Sequence, residues 1–181
     1  KKDAQIDGLD VNNLALDSRK IKVGDLFIAL AGSQQHGLVY ADKVIENGAR
    51  AILYDPSGQG SQLAEAITGI PVIPVANLGL ILGKLAARFY DNPSERLAVI
   101  GITGTNGKTS CSQFLGQLLK GCGIIGTLGW GDWERLNKTI NTTPDALMVQ
   151  QVLADFVKQN KHAVAMEVSS HGLDQGRVNG V

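Results

Sequence analysis

A phosphate-binding loop set between a strand and a helix constrains this chain more than any other feature. Residues 101–110 read Gly-Ile-Thr-Gly-Thr-Asn-Gly-Lys-Thr-Ser, after the apolar run 97–100 and before a segment with helical spacing. Gly104 and Gly107 let the backbone turn tightly, so that successive N–H groups point at phosphate oxygens. Lys108 adds a point charge for the β and γ phosphates, and the Thr109 hydroxyl suits Mg²⁺. The helix beginning near Lys108 aims its N-terminal dipole at the same anion. The general pattern has glycine five positions before Gly107, where this chain has Ile102, and Gly101 sits one place early. Because strand, loop and helix are all in order, a nucleoside triphosphate is the expected ligand. Gly104, Thr105, Asn106, Gly107, Lys108, Thr109 and Ser110 would hold it.

Whatever anion site exists is local, because the 17 Lys and Arg residues balance 17 Asp and Glu. No field of one sign points to nucleic acid or to an anionic membrane as partner. Apolar stretches such as 78–82 are too short to span a bilayer, and the sequence opens Lys-Lys-Asp without an apolar leader. A cytoplasmic location is expected. With 44% hydrophobic residues in 181, there is material for one to two packed domains. Cys111 and Cys122 form neither a metal spacing nor a disulfide framework, and Cys111 reads as a small buried thiol on the helix after the loop.

Strand and helix patterns alternate, which predicts an α/β protein with mainly parallel sheets. Strands are expected at 26–30, 51–54 and 71–75, with a helix over 39–48 that ends at glycine. From Asn77, a plausible N-cap, a helix places Leu78, Ile81, Leu85 and Phe89 on one face. It stops at Asp91-Asn92-Pro93-Ser94, a breaker cluster that separates two units, 1–92 and 93–181. The second unit continues with a strand at 97–103, the loop, a helix over 108–120 and a strand at 122–128. The abrupt step at Lys120-Gly121-Cys122 reads as a place where residues could be missing. A polar stretch with Trp130 and Trp133 leads to Thr142-Thr143-Pro144-Asp145, where threonine can cap and proline can occupy the first turn. The helix that follows to residue 158 has Ala146, Val149, Leu153 and Phe156 on one face, and the last strand is 163–168. About three strands are few for a phosphate-binding α/β domain, so this unit reads as truncated.

Ligands of open parallel sheets collect beyond the carboxyl ends of strands, and Met166-Glu167-Val168-Ser169-Ser170-His171-Gly172 crosses such an end. Glu167 is costly to bury unless it is paired or near a metal, so it is either a Mg²⁺ ligand, a water anchor or half of a salt bridge. His171 is either a base or phosphate donor or a side chain bonded to its own loop, and His36 and His162 have weaker claims. Arg177 either clamps a phosphate or carboxylate through its forked donors or is a solvated surface residue.

The loop 103–109 resembles the ATP loop of the Mur ligases, which lacks the first glycine of the general pattern as this one does. Three further segments extend the resemblance over nearly the whole chain: Leu16-Asp-Ser-Arg19 followed by Gly24-Asp-Leu-Phe27, Asn141-Thr-Thr-Pro-Asp145, and Met166-Glu-Val-Ser-Ser-His-Gly-Leu173. The likeness is to the branch that adds the third amino acid to UDP-N-acetylmuramoyl-L-alanyl-D-glutamate in peptidoglycan synthesis. It implies a small N-terminal α/β domain (1–92) that holds the UDP end of the substrate and a P-loop central domain (93–181, incomplete) that holds ATP.

By the same resemblance, Leu16 and Ser18 meet the uracil and ribose region, and Ser33, Gln34 and Gln35 meet the diphosphate or sugar. Ser33 stands where the family often has histidine. Asn141, Thr142, Thr143, Ser169, Gln175 and Arg177 match positions that bind the muramoyl peptide. Thr109 and Glu167 match the magnesium site, and Lys108 is the catalytic cation. The implied chemistry is amide formation driven by ATP through an acyl phosphate. Meso-diaminopimelate, rather than L-lysine, is the expected amino acid, brought by a C-terminal domain absent here. A carbamylated lysine and a histidine for a second magnesium would also lie beyond residue 181, so little or no turnover is expected from this chain alone. A monomer is expected, with closure between units joined near Asn92-Pro93. Two alternatives are a folylpolyglutamate synthetase-like ligase, which would lack the Asp-Ser-Arg domain, and a non-catalytic nucleotide-binding module.

Overall fold

The computed structural model describes residues 9–32 and 34–181, which form two compact α/β units divided between Leu80 and Ile81. The first carries a fully parallel sheet in the order β1 (Leu14–Ala15), β2 (Leu26–Ala29), β3 (Ala51–Tyr54), β4 (Val72–Pro74). Helix α1 (Ala41–Glu46) connects β2 to β3, and α2 (Gly60–Glu65) connects β3 to β4. β2 is buried on both faces, as expected of a parallel strand covered by connections, and Phe27, Ile52, Val44 and Leu38 centre the core. Each such side chain contributes about 1.5–3 kcal/mol by leaving water. Pro74, which cannot donate to a ladder, lies on the edge strand. The helix expected over 39–48 begins as a 3₁₀ turn, Gly37–Tyr40, and becomes α-helical only at Ala41.

Helix α3 (Leu78–Phe89) forms where predicted, but its start and its buried face differ from expectation. Asn77 has φ 55°, outside the extended region that an N-cap normally adopts. The Leu78 N–H instead donates to Asp55 Oδ2 at 3.0 Å, from the end of β3. The buried side chains are Leu78, Leu82, Ala86 and Ala87, while Ile81 is exposed and Leu85 and Phe89 are half-buried. The helix runs across the division between units because its second half packs closely within the second. A Cβ at Gly83 would lie 1.8 Å from the Asn179 carbonyl oxygen, and Gln151 Nε2 donates to Tyr90 Oη at 3.0 Å.

Asp55 also accepts the Ser57 N–H at 3.0 Å. Hydrogen bonding from the Ser57 side chain foremost, then from the Ser57 and Leu78 N–H groups, outweighs burial and holds its pKa below the ordinary 3.8. A carboxylate depressed in the folded state stabilises above its unfolded pKa, and that stability is lost as pH falls through the depressed value. Asp55→Asn should therefore flatten the acid limb of the first unit's stability below about pH 4. Urea midpoints followed by the NMR intensities of β2 and β3 between pH 3 and pH 6 would show it; identical slopes in both proteins would remove Asp55 as the source.

The second unit has a five-stranded sheet in the order β5 (Ala98–Ile102), β9 (Ala163–Glu167), β6 (Cys122–Gly126), β7 (Gly129–Asp132), β8 (Arg135–Asn137). β5, β9 and β6 are parallel, and β7 and β8 extend the sheet antiparallel. Two strands thus form in the stretch around Trp130 and Trp133 that reads as merely polar, its glycines hiding the period-two pattern. Helix α4 (Lys108–Leu118) follows β5, and α5 (Ala146–Lys158) precedes β9. Ala146, Val149, Leu153 and Phe156 are all buried, as their spacing predicts, against Ile125, Val164 and Met166. The α5 cap is Asp145, whose side chain accepts the Met148 N–H at 2.9 Å, rather than a threonine, and Pro144 lies ahead of the cap. The connection at Gly121 closes as a tight turn with φ 74°, with the Cys122 N–H on the Leu119 carbonyl. Cys111 is exposed, not buried, since it lies on the solvent side of α4.

Candidate functional site

The parallel strands β5, β9 and β6 bring their carboxyl ends to one edge of the sheet, and the phosphate loop leaves β5 there. Gly104 and Gly107 have φ of 140° and 82°, in the region that side chains rarely adopt, which is why the loop needs glycine at both. Gly107 is the N-cap of α4 and offers no side-chain acceptor, so the first N–H groups of the helix remain available to an anion. Lys108 Nζ folds back over the loop and donates to the Gly104 carbonyl at 2.7 Å. Residues 105–110 line one side of a cavity of about 330 Å³; Thr127, Thr142, Glu167 and Ser169 line the other.

Glu167, the last residue of β9, is 1% exposed. Its Oε2 accepts from the Thr109 hydroxyl and the Thr127 hydroxyl, each at 3.0 Å, and its Oε1 accepts from the Thr127 N–H at 3.1 Å and the Ser112 hydroxyl at 3.2 Å. Among the described residues no cationic side chain pairs with it, which removes the salt-bridge alternative. The carboxylate is thus met by neutral hydroxyl and amide donors alone, with no countercharge from a described side chain. No cluster of three His, Cys, Asp or Glu occurs among the described residues. The neighbouring Glu167 carboxylate and Thr109 hydroxyl are hard oxygen donors that would suit Mg²⁺.

Across the cavity the loop before α5 is tied to β9. Thr143 is fully buried; its Oγ1 donates to the Glu167 carbonyl at 3.0 Å and accepts the Ser169 N–H at 3.0 Å. Arg177 is neither free nor a solvated surface residue: Nη1 donates to the Thr143 carbonyl at 2.7 Å and Nε to Gln175 Oε1 at 2.9 Å. Ser169 caps the short helix α6 (Ser170–Asp174) through the Gly172 N–H. His171 and His162 are exposed, while His36 is buried in the first unit. His36 Nδ1 accepts the Leu38 N–H and Nε2 faces the Asp55 carbonyl at 2.8 Å, so its ring is occupied structurally.

In the first unit, Leu16 and Ser18 follow the carboxyl end of β1, and Gln34 and Gln35 follow that of its neighbour β2. The two segments thus share one edge of the sheet, where ligands of parallel sheets bind. Asp17 caps the 3₁₀ turn Ser18–Lys20 and pairs with Arg19, whose hydrogen bond lowers its pKa to about 2. Gln35 donates to Tyr40 Oη. Ser33 lies outside the described residues. Sequence reasoning missed Thr127 and Ser112, and it missed Gly126, where a Cβ would lie 2.1 Å from Glu167 Oε1. The available signal was a threonine directly after the carboxyl end of a parallel strand, the position that already favours Glu167.

Comparison with known proteins agrees with this geometry. The profile of the Mur ligase family catalytic domain matches residues 10–90, and that of the Mur ligase middle domain matches residues 102–181. A protein of Coxiella burnetii named UDP-N-acetylmuramoyl-L-alanyl-D-glutamate--2,6-diaminopimelate ligase is 47% identical over 94% of this chain and 35% of its own length. Its namesake from Alkalilimnicola ehrlichii is also 47% identical, over 97% of this chain and 37% of its own length. A solved structure of a ligase of that name superposes with a TM-score of 0.75 at 33% identity, covering 94% of this chain and 34% of the other. The chain therefore spans about a third of the length of the relatives it matches. With a glycine-bearing phosphate loop facing a buried glutamate, and with both domain profiles matched in order, the chain belongs to the Mur ligase family.

Proposed function

We propose that this chain is the nucleotide- and substrate-binding part of a ligase that joins 2,6-diaminopimelate, in its meso form, to UDP-N-acetylmuramoyl-L-alanyl-D-glutamate at the expense of ATP. The observation that carries the reading is the cavity in which the phosphate loop faces Glu167 and the 141–143 loop, on a chain whose relatives bear that name. The D-glutamate carboxylate oxygen bonds to the γ-phosphorus of ATP as the β–γ bridging bond breaks, giving an acyl phosphate and ADP. The incoming amine then bonds to the acyl carbon and loses a proton, and inorganic phosphate leaves. Lys108 and the N–H groups of the loop offset the crowding of negative charge in the first step. Thr109 and Glu167 would hold Mg²⁺, which when bound supplies further charge neutralisation. Gly104, Thr105, Asn106, Gly107 and Ser110 cradle the phosphates.

Asn141, Thr142, Ser169 and Gln175 present the acceptor peptide. Thr143 and Arg177 take part by fixing that loop, since their polar groups are bonded within the protein. Residues 1–92 hold the UDP end through Leu16, Ser18, Ser33, Gln34 and Gln35, and residues 93–181 hold ATP. The profile boundaries at 90 and 102 support that division. Cytoplasmic action as a monomer completes the proposal, and no helix among the described residues is long and apolar enough to cross a membrane.

Calorimetric titration with UDP-N-acetylmuramoyl-L-alanyl-D-glutamate, against UMP and ATP-Mg²⁺, tests the reading. The expected result is tighter binding of the muramoyl dipeptide than of UMP. Ser18→Ala should weaken it by about 1 kcal/mol, one hydrogen bond's worth. ATP binding without dipeptide binding would sink the substrate assignment.

A further inference from the structure

Thr127 presents its hydroxyl both to the Glu167 carboxylate and to a side chain of the 141–143 loop. Its Oγ1 lies 3.0 Å from Glu167 Oε2 and 3.1 Å from Thr142 Oγ1. A hydroxyl has one proton and two lone pairs, and a carboxylate is the stronger acceptor. The consistent assignment has Thr127 donating to Glu167 and accepting the proton of Thr142. Thr109 donates to the same Oε2 from the other side. A chain of oxygen atoms, Thr109 to Glu167 to Thr127 to Thr142, therefore crosses the cavity from the nucleotide loop to the loop before α5. Its surroundings are held in place: Glu167 is buried in β9, and Thr143, next to Thr142, donates to the Glu167 carbonyl and accepts the Ser169 N–H.

We propose that Thr127 is a positioning residue that couples the nucleotide and acceptor sites. The inference rests on the function proposed above. Filling the site between Thr109 and Glu167 changes how much negative charge Oε2 presents to the Thr127 proton. That in turn sets how strongly Thr127 holds the Thr142 hydroxyl, and so the conformation that the acceptor loop offers. Coupling of this kind is reciprocal: nucleotide tightens acceptor binding by the factor with which acceptor tightens nucleotide. Thr127→Val removes the hydroxyl at nearly constant volume and keeps the backbone N–H on Glu167 Oε1.

The test titrates this chain with ATP-Mg²⁺ and with the muramoyl dipeptide, each alone and each in the presence of the other. For the unmodified chain, a coupling of about fivefold or more is expected. In Thr127→Val it should fall to unity, and Thr127→Ser should restore it. Amide NMR supplies a readout that needs no dipeptide: ATP-Mg²⁺ should shift the Asn141 and Thr143 amides in the unmodified and Ser chains and leave them in place in the Val chain. Undiminished coupling or undiminished shifts in Thr127→Val would overturn the proposal, as would failure of serine to restore them. Shifts that depend on Thr127 in a chain that binds no dipeptide would uphold the relay and overturn the substrate assignment instead.

Discussion

Lys108→Ala is expected to weaken ATP-Mg²⁺ binding on the order of 100-fold, about 3 kcal/mol, while leaving the muramoyl dipeptide affinity within error. Lys108 is the only cationic side chain among those lining the cavity, so no neighbour replaces its charge opposite the phosphates. Its Nζ lies on the Gly104 carbonyl at 2.7 Å, so the ammonium is held over the loop before any anion arrives. Removing it costs the attraction and also frees a loop that already needs two glycines in unusual conformations. The side chain is part-exposed, so folding should change little. Calorimetry with both ligands, beside a thermal melt, checks the claim. Equal loss of both affinities with an unchanged melt would mean that the sites are not separate.

Gly126→Ala should be the most destabilising single change at the site, by about 3 kcal/mol, and should abolish magnesium-dependent nucleotide binding. The added Cβ would sit 2.1 Å from Glu167 Oε1 and 2.7 Å from the carboxyl carbon. An end group can usually swing aside, but this one is pinned by two hydroxyls on Oε2 and by an amide and a hydroxyl on Oε1. Moving it leaves a buried charge without those donors, which is the expensive way to relieve a clash. Urea unfolding followed by Trp130 fluorescence reports the second unit, since that ring packs against its core. A variant within 1 kcal/mol of the parent, still binding ATP-Mg²⁺ normally, would show that the carboxylate does not need its place beside β6.

Local order was legible wherever the physics is local. The phosphate loop needs glycine conformations and a following helix, both written within ten residues. The α5 face follows from 3.6-residue spacing, and all four of its marked positions are buried. The parallel strands β2 and β3 appear as short apolar runs because both of their faces are covered. Errors arose where partners come from elsewhere. Asn77 loses the role of cap to Asp55, 23 residues earlier in sequence from Leu78. Thr142 and Thr143 lose the α5 cap to Asp145 because they are engaged with Thr127 and with β9 respectively. Cys111 is exposed because helical spacing alone does not say which side of α4 meets the sheet.

Motif, spacing and composition carry the α/β class, the nucleotide loop and the family resemblance, and they mark Glu167 as a charged residue at the end of a buried strand that needs partners. Those partners come from the fold. Thr109 and Glu167 are 58 residues apart and Thr127 and Glu167 are 40, and they meet because three parallel strands end at one edge. A side chain's propensity is set by its neighbours in sequence, whereas the cost of burying its charge is set by its neighbours in space. Strand order, which no local signal encodes, chose those neighbours.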